Sequence, residues 1–293
     1  MNLPARRKLA GRALAAAALA AGLAGCLTRY HPEPGPFNVG VDRLDQGRHA
    51  EAAAAFERVL ELRPDDYRAH FNLACAYEAL GRPEAARTHY EAVLRIQPRN
   101  VAARLNLAAQ ALEGGDRERA VALLEEAGRA DSSDPRGPSS LAQLALDGDD
   151  LEAAEAALKE ALARDPGHAD SLVRLGRMHE ARNDPVAAAA AYEAALRTDP
   201  EDFPALCRLG ALALGRDDPA AAARYLERAA LVRGDHRAAW VDLSRAYLAL
   251  DQLENALLAA WEARNLAETP EDRAQDRDRL RALYLRLLEA PGD

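Results

Sequence analysis

The 293-residue chain has little of what usually builds a protein core: four Phe, eight Tyr, two Trp, two Met and three Cys. Packing must therefore rest on Ala and Leu. So few cysteines exclude a disulfide-stapled scaffold or a cysteine-ligated zinc module. Lysine is nearly absent as well, occurring only at Lys8 and Lys159. The apolar run Ala13–Leu23 has eleven residues, too short to span a bilayer core of ~30 Å as a helix. An excess of positive charge is also missing. The first 25 residues hold four of the 38 basic residues and no acid, so the rest sets 34 basic against 47 acidic side chains, a net −13. That balance argues against nucleic acid or an anionic membrane surface as the main partner.

What the chain does have is a 34-residue period, copied seven times without insertion or deletion as 33–66, 67–100, 101–134, 135–168, 169–202, 203–236 and 237–270. Four columns fix the register. The twentieth is Ala52, Ala86, Ala120, Ala154, Ala188, Ala222 and Ala256, and the seventh is Val39 followed by Leu73, Leu107, Leu141, Leu175, Leu209 and Leu243. The eighth is always small: Gly40, Ala74, Ala108, Ala142, Gly176, Gly210 and Ser244. The fifteenth holds only Gly47, Gly81, Gly115, Asp149, Asn183, Asp217 and Asp251. Apolar residues recur at helical spacing on both sides of that last column, which predicts two amphipathic helices per block and a turn between them. Gly, Asp and Asn are the residues that best tolerate the left-handed conformation ending a helix. Pro83, Pro185 and Pro219 suit the first turn of the second helix, and Pro64, Pro98, Pro166 and Pro200 stop it. Small residues at eight and twenty let the paired helices approach, while Leu at seven and Phe, Tyr or Leu at twenty-four fill the space.

With Tyr77 and Tyr247 at eleven, Phe56, Tyr90 and Tyr192 at twenty-four and proline at thirty-two, this pattern resembles the tetratricopeptide repeat. The resemblance covers 33–270. Departures are local: Arg43 stands at position eleven of the first block, and Ser132 replaces the proline of the third. It implies an all-α fold, a right-handed α-solenoid of seven helix-turn-helix repeats (37–270) with a groove lined by the first helices. A solenoid has no single core, so the usual length-to-domain reasoning does not apply.

Before the repeats, Arg6, Arg7, Lys8 and Arg12, the apolar run and Leu23-Ala24-Gly25-Cys26 resemble a bacterial lipoprotein signal. The resemblance implies a signal peptide over 1–25, cleavage before Cys26 and a lipid on that cysteine. Several acyl chains would anchor stably, since each buried CH₂ adds only ~0.8 kcal/mol. Leu27 rather than Asp after Cys26 implies, by proteobacterial sorting rules, the outer membrane facing the periplasm. Residues 26–36, rich in Pro, read as a lipidated tether. The other cysteines, Cys75 and Cys207, stand four repeats apart, on the order of 30 Å or more at ~8–10 Å per helix spacing, so no bridge between them is expected.

Two irregular stretches carry their own expectations. Around Gly128–Ser140, Pro138 predicts an early end to one helix, a longer loop and a shortened helix from Ser139 with a serine cap. A rigid decorated loop fits the kept 34-residue count better than a hinge. After the last block, Thr269-Pro270-Glu271-Asp272 reads as a helix start. Leu280, Leu283, Tyr284, Leu287 and Leu288 form the apolar stripe of a solvating cap over 271–289.

No chemistry-bearing motif emerges. The seven histidines lack metal-ligand spacing, Asp147-Gly148-Asp149-Asp150 lacks the calcium-loop pattern, and no phosphate loop or nucleophile motif occurs. We therefore expect no enzyme, no cofactor, no metal and no small-molecule substrate. Function is expected on the groove, where the repeat resemblance places positions 2, 5, 6, 9, 12 and 13 of each first helix. Asn38, Asn72 and Asn106 at position six form a ladder whose amides donate to and accept from a peptide backbone, though Asn is also common there in such repeats. Phe37, Phe71, Leu105 and Leu112 lie beside it as apolar surface, with Arg68, Cys75 and Glu78 on the same helices. Further along, Arg174, Arg177, Arg208 and Arg245 admit two readings. They could bind an acidic segment or C-terminal carboxylate, or they could be neutralised by neighbours such as Asp170 and Glu180; the spacing favours neutralisation. The expectation is a membrane-anchored scaffold that takes protein segments in its groove and aids assembly of an envelope machine (a pilus or secretin, cell-wall enzymes or polysaccharide export). A soluble intracellular regulator or co-chaperone is the alternative.

Overall fold

The computed structural model describes residues 35–289; the signal segment, Cys26 and the tether up to residue 34 lie outside them. Fifteen α-helices and no strand occur among the described residues. They are α1 Pro36–Asp45, α2 His49–Leu62, α3 Tyr67–Ala79, α4 Pro83–Ile96, α5 Val101–Glu113, α6 Arg117–Ala130, α7 Arg136–Asp147, α8 Leu151–Arg164, α9 Ala169–Ala181, α10 Pro185–Thr198, α11 Phe203–Gly215, α12 Pro219–Val232, α13 Arg237–Ala249, α14 Leu253–Asn265 and α15 Pro270–Glu289. They fall into two compact units, Met1–Leu144 and Ala145–Asp293, each a stack of antiparallel helix pairs of the tetratricopeptide kind.

The turn column behaves as its chemistry demands. Gly47, Gly81 and Gly115 have φ of 69–78°, and Asp149, Asn183, Asp217 and Asp251 have φ of 57–59°; no other described residue has a positive φ. Each closes the first helix of its pair in the left-handed conformation. Several helices are capped at entry by Asp or Asn at position thirty-four or sixteen of the repeat. Asp66, Asn100 and Asp202 accept backbone N–H bonds at the start of first helices, and Asp116, Asp150, Asp184 and Asp218 do so for second helices. Each such cap stabilises its helix by about 1 kcal/mol.

Packing follows the columns too. All seven alanines at position twenty are 0 % exposed. Their partners at twenty-four, from Phe56 and Tyr90 to Tyr192 and Leu226, are likewise buried. The glycines at position eight explain themselves: a Cβ on Gly40 would lie 2.6 Å from the Phe56 ring, on Gly176 2.4 Å from Tyr192, and on Gly210 2.5 Å from Leu226. Val39 departs from its column, being 42 % exposed.

Three expectations are corrected. Helix α1 begins at Pro36, where the fixed φ of proline suits the first turn, so that residue belongs to the fold and not to the tether. Around Pro138 the preceding helix does not end early, since α6 runs its full fourteen residues to Ala130; the loop is one residue longer than its counterparts and α7, at twelve residues, one shorter than α3, α5 and α9, as expected. Helix α7 starts at Arg136, with Pro138 inside its first turn, where proline loses no hydrogen bond. Asp134 takes the role foreseen for serine, accepting from the Arg136 N–H at 2.9 Å and pairing with its guanidinium at 2.6 Å. Gly137 is required there, because a Cβ would sit 2.7 Å from the Gly128 nitrogen. This loop belongs to the first unit throughout.

Helix α15 lies along α14, with Leu283 buried against Ala256 and Ala260. Two polar groups fix it. Asp276 is fully buried and receives Arg237 Nε and Arg279 Nη1, both at 2.9 Å, while Arg237 also meets Asp272 at 3.0 Å. The apolar stripe is only partly covered, since Tyr284 and Leu288 remain more than half exposed. Tyr284 borders an apolar cleft of about 630 Å³ with Leu257, Leu258, Trp261 and Leu280.

Candidate functional site

In the first unit the structure moves several groove residues inward. Phe37 packs edge-on against Phe56 with ring centroids 5.6 Å apart, and Phe71 packs the same way against Tyr90 at 5.5 Å. Both are under 10 % exposed, so they are core and not apolar surface for a partner. Cys75 is likewise buried, its Sγ 3.5 Å from the Tyr90 hydroxyl. Leu105 is half-buried against the cluster around Leu124, whereas Leu112 stays exposed.

The asparagine column is real but partly spent. Asn72 is 2 % exposed, and its Nδ2 donates to the Arg68 carbonyl one turn back at 2.9 Å. Its Oδ1 is buried without a hydrogen-bond partner. Asn106 is buried and Asn38 half-buried. Arg68 lays its guanidinium 5.9 Å from the Tyr67 ring centroid.

A polar cluster on the first helices was not foreseen. On α3, Glu78 accepts from the Tyr90 hydroxyl at Oε2 (2.9 Å) and from Gln110 Nε2 of α5 at Oε1 (2.8 Å). Gln110 is 6 % exposed and its Oε1 has no partner. Burial raises the Glu78 carboxyl above its ordinary value, and the nearby Glu113 adds to the rise; it also lifts the Tyr90 phenol well above the usual range. A signal for this pair was present. Position twelve is Leu in five blocks and Glu only in Glu78 and Glu180, the two blocks with Tyr at twenty-four.

The second unit repeats the pair. Tyr192 donates to Glu180 Oε2 at 2.9 Å, but here Arg208 of α11 stands 3.6 Å from the same oxygen. The remaining arginines are also engaged: Arg174 with Asp170 at 3.7 Å, Arg177 with Asp147 at 3.4 Å and Arg245 with Asp242 at 3.0 Å. Arg177 thus pairs with Asp147 rather than with Glu180. Neutralisation by the chain's own acids is what the geometry supports at all four.

Away from this face, His70 and His89 share a 2.9 Å Nδ1···Nδ1 contact, with Tyr77 stacked on His89. Burial, and then His70, hold His89 below its ordinary imidazole value. Tyr77 also ties one pair to the next by donating to Glu57 at 2.5 Å, and Tyr247 does the same to Glu227 at 2.7 Å. Neither Cys75 nor Cys207 is in a disulfide. Among the described residues no group of three or more His, Cys, Asp or Glu side chains is arranged to hold a metal ion. Nor is any helix among them long and apolar enough to cross a membrane.

Comparison with known proteins agrees with this architecture. Tetratricopeptide-repeat family models match residues 40–100 and 140–203, and another matches 79–144. Together they run unbroken over more than half of the chain, and the chain belongs to the tetratricopeptide-repeat family. No curated protein matches the sequence. Among solved structures, one chain of the Cut9–Hcn1 hetero-tetramer of the APC/C superposes with a TM-score of 0.65 at 14 % identity, over 83 % of this chain and 48 % of that one. Yeast Tom70 gives 0.62 at 17 % identity, over 98 % and 66 %. PilF of Pseudomonas aeruginosa gives 0.56 at 19 % identity, over 72 % and 94 %. The chain thus spans about half and two thirds of the first two. At these identities the likeness is one of fold.

Proposed function

We propose that this protein is a tetratricopeptide adaptor that holds segments of other proteins on the face built by its first helices, and that a lipid on Cys26 keeps it at a bacterial cell envelope. Its family is suited to protein–protein interaction. The observation that carries the reading is the division of labour among the repeat positions. The alanines and their aromatic or leucine partners are consumed by packing in every pair, while the first-helix face of the first unit keeps buried acceptors, Asn72 Oδ1 and Gln110 Oε1, with nothing to accept from. Buried polar groups left unpaired cost about 1–3 kcal/mol each, and a peptide on that face supplies the missing N–H donors once those side chains turn toward it. We assign no reaction to the chain.

Two experiments test the two halves. A photo-crosslinking amino acid at Leu112 or Asn38, on first helices, is expected to capture protein partners in the native cell, whereas one at exposed Thr88 or Val186, on second helices, is not. Equal capture from both sets, or none, overturns the groove reading. The basic segment, the apolar run and Cys26 support the anchor. Globomycin-sensitive processing and recovery with outer membranes are expected, and an unprocessed soluble chain would favour an intracellular regulator instead. Assembly of an envelope machine is the setting in which we place the adaptor.

A further inference from the structure

The two tyrosine–glutamate pairs differ in one neighbour. Beside Glu180, position six of the next first helix is Arg208, whose guanidinium reaches the carboxylate at 3.6 Å. Beside Glu78 the same position is Asn106, and no cation among the described residues pairs with Glu78: its bonds come from the Tyr90 hydroxyl and the Gln110 amide, both neutral. Glu113, which follows Gln110 by one turn of α5, adds negative charge beside it. Gln110, more than nine-tenths buried and bonded to Glu78 through its Nε2, leaves its Oε1 without a donor. A half-buried carboxylate and an amide oxygen therefore stand side by side as acceptors, in a setting where the homologous pair shows that a guanidinium fits.

From this we infer that Glu78 and Gln110 form a subsite for a lysine or arginine side chain of the bound protein segment, the partner supplying the cation that Arg208 supplies within the second unit. Only a cationic donor serves both acceptors without adding one of its own: Lys brings three N–H groups and Arg five in a planar fork. An acidic residue would meet like charge, and an apolar one would leave the Glu78 charge uncompensated and Gln110 Oε1 without a donor. Charge-assisted hydrogen bonds of this kind are about twice as strong as neutral ones, so the subsite selects by chemistry where the asparagines hold only backbone.

The inference rests on the groove reading, and the test separates the two. A random dodecapeptide display library is selected against the full chain, and in parallel against its Glu78→Gln and Asn106→Arg variants. Glu78→Gln keeps an acceptor for Tyr90, and Asn106→Arg places an internal guanidinium where the second unit has one; circular dichroism melts verify that both fold. The expected result is a column of Lys or Arg in the peptides selected by wild type and no such column with either variant. Selected peptides should bind Glu78→Gln about tenfold more weakly, the loss of one charged contact. Peptides without a basic column, or with one that survives both substitutions, would overturn the subsite while leaving the groove reading intact. A library from which nothing is enriched by wild type would overturn both.

Discussion

The α3–α4 pair of the first unit and the α9–α10 pair of the second are built on one plan. In each, a tyrosine fully buried between the two helices donates at 2.9 Å to a glutamate on the first helix. The difference lies at the edges. Gly176 makes room for Tyr192, where Ala74 faces Tyr90. Arg208 neutralises Glu180, where Gln110 merely hydrogen-bonds Glu78. A histidine pair sits at positions 4 and 23 of one block, where Leu172 and Ala191 occupy the other. The interior of the repeat is thus held constant while its rim is rewritten, and the rim is where one copy comes to mean something different from another.

The largest break in the comparison should come from the glycine. Gly176→Ala drives a Cβ into the Tyr192 ring, the closest such approach among the three position-eight glycines, and should destabilise the second unit by about 1–3 kcal/mol in urea melts. The converse change, Ala74→Gly, adds only backbone freedom and should cost about 0.5–1 kcal/mol. Next in size are the hydroxyls. Tyr90→Phe strips a half-buried carboxylate of one of its two neutral donors and should cost about 2 kcal/mol, whereas Tyr192→Phe leaves Arg208 in place and should cost about 1 kcal/mol. Equal losses would mean that Arg208 contributes nothing to Glu180.

Acid should then separate the units through His89. Its folded pKa is depressed by burial and His70, so the folded state binds fewer protons than the unfolded chain. The stability it contributes is complete above the unfolded value, about 6.5, and is lost as pH falls through it toward the lower folded value. Glu78 works in the opposite sense. Its raised pKa penalises the fold at neutral pH and relieves the penalty as acid protonates the carboxyl. Amide exchange across α3 and α4 should show protection falling below about pH 6.5, by less than about 1 kcal/mol for so partly exposed a pair. His89→Gln should flatten that fall. The smallest effect is kinetic: burial pushes the Cys207 thiol up to about 12, so iodoacetamide at pH 8 should modify it far more slowly than an unfolded-chain cysteine.

How much of this was legible follows from what each column does. Packing positions speak in residue type, because close approach admits only Gly, Ala or Ser and a left-handed turn admits only Gly, Asp or Asn; both kinds were readable and the structure places them as read. Helix entry at Pro138 misled because proline both breaks helices and begins them, and only the Asp134 cap and the Gly128–Gly137 contact decide between those roles. Side-chain direction was the larger loss. The repeat resemblance put Phe71 and Cys75 on the groove-facing stripe, but their rotation toward Tyr90 depends on the neighbouring helix, which no single-helix pattern contains. The buried Asp276, held by Arg237 thirty-nine residues away, is long-range in the same sense. The Glu–Tyr pairing was written in the sequence as a correlation between columns twelve and twenty-four, visible only when the blocks are compared with one another.

The account stands most directly on where a bound segment lies. Hydrogen–deuterium exchange of the full chain, with and without a display-selected peptide, reads that position helix by helix. Protection concentrated on the first helices α3 and α5, around Asn72, Glu78 and Gln110, with α4 and α6 unchanged, is the predicted result. Protection on the second helices instead, or none on α3 and α5 at saturating peptide, would contradict it.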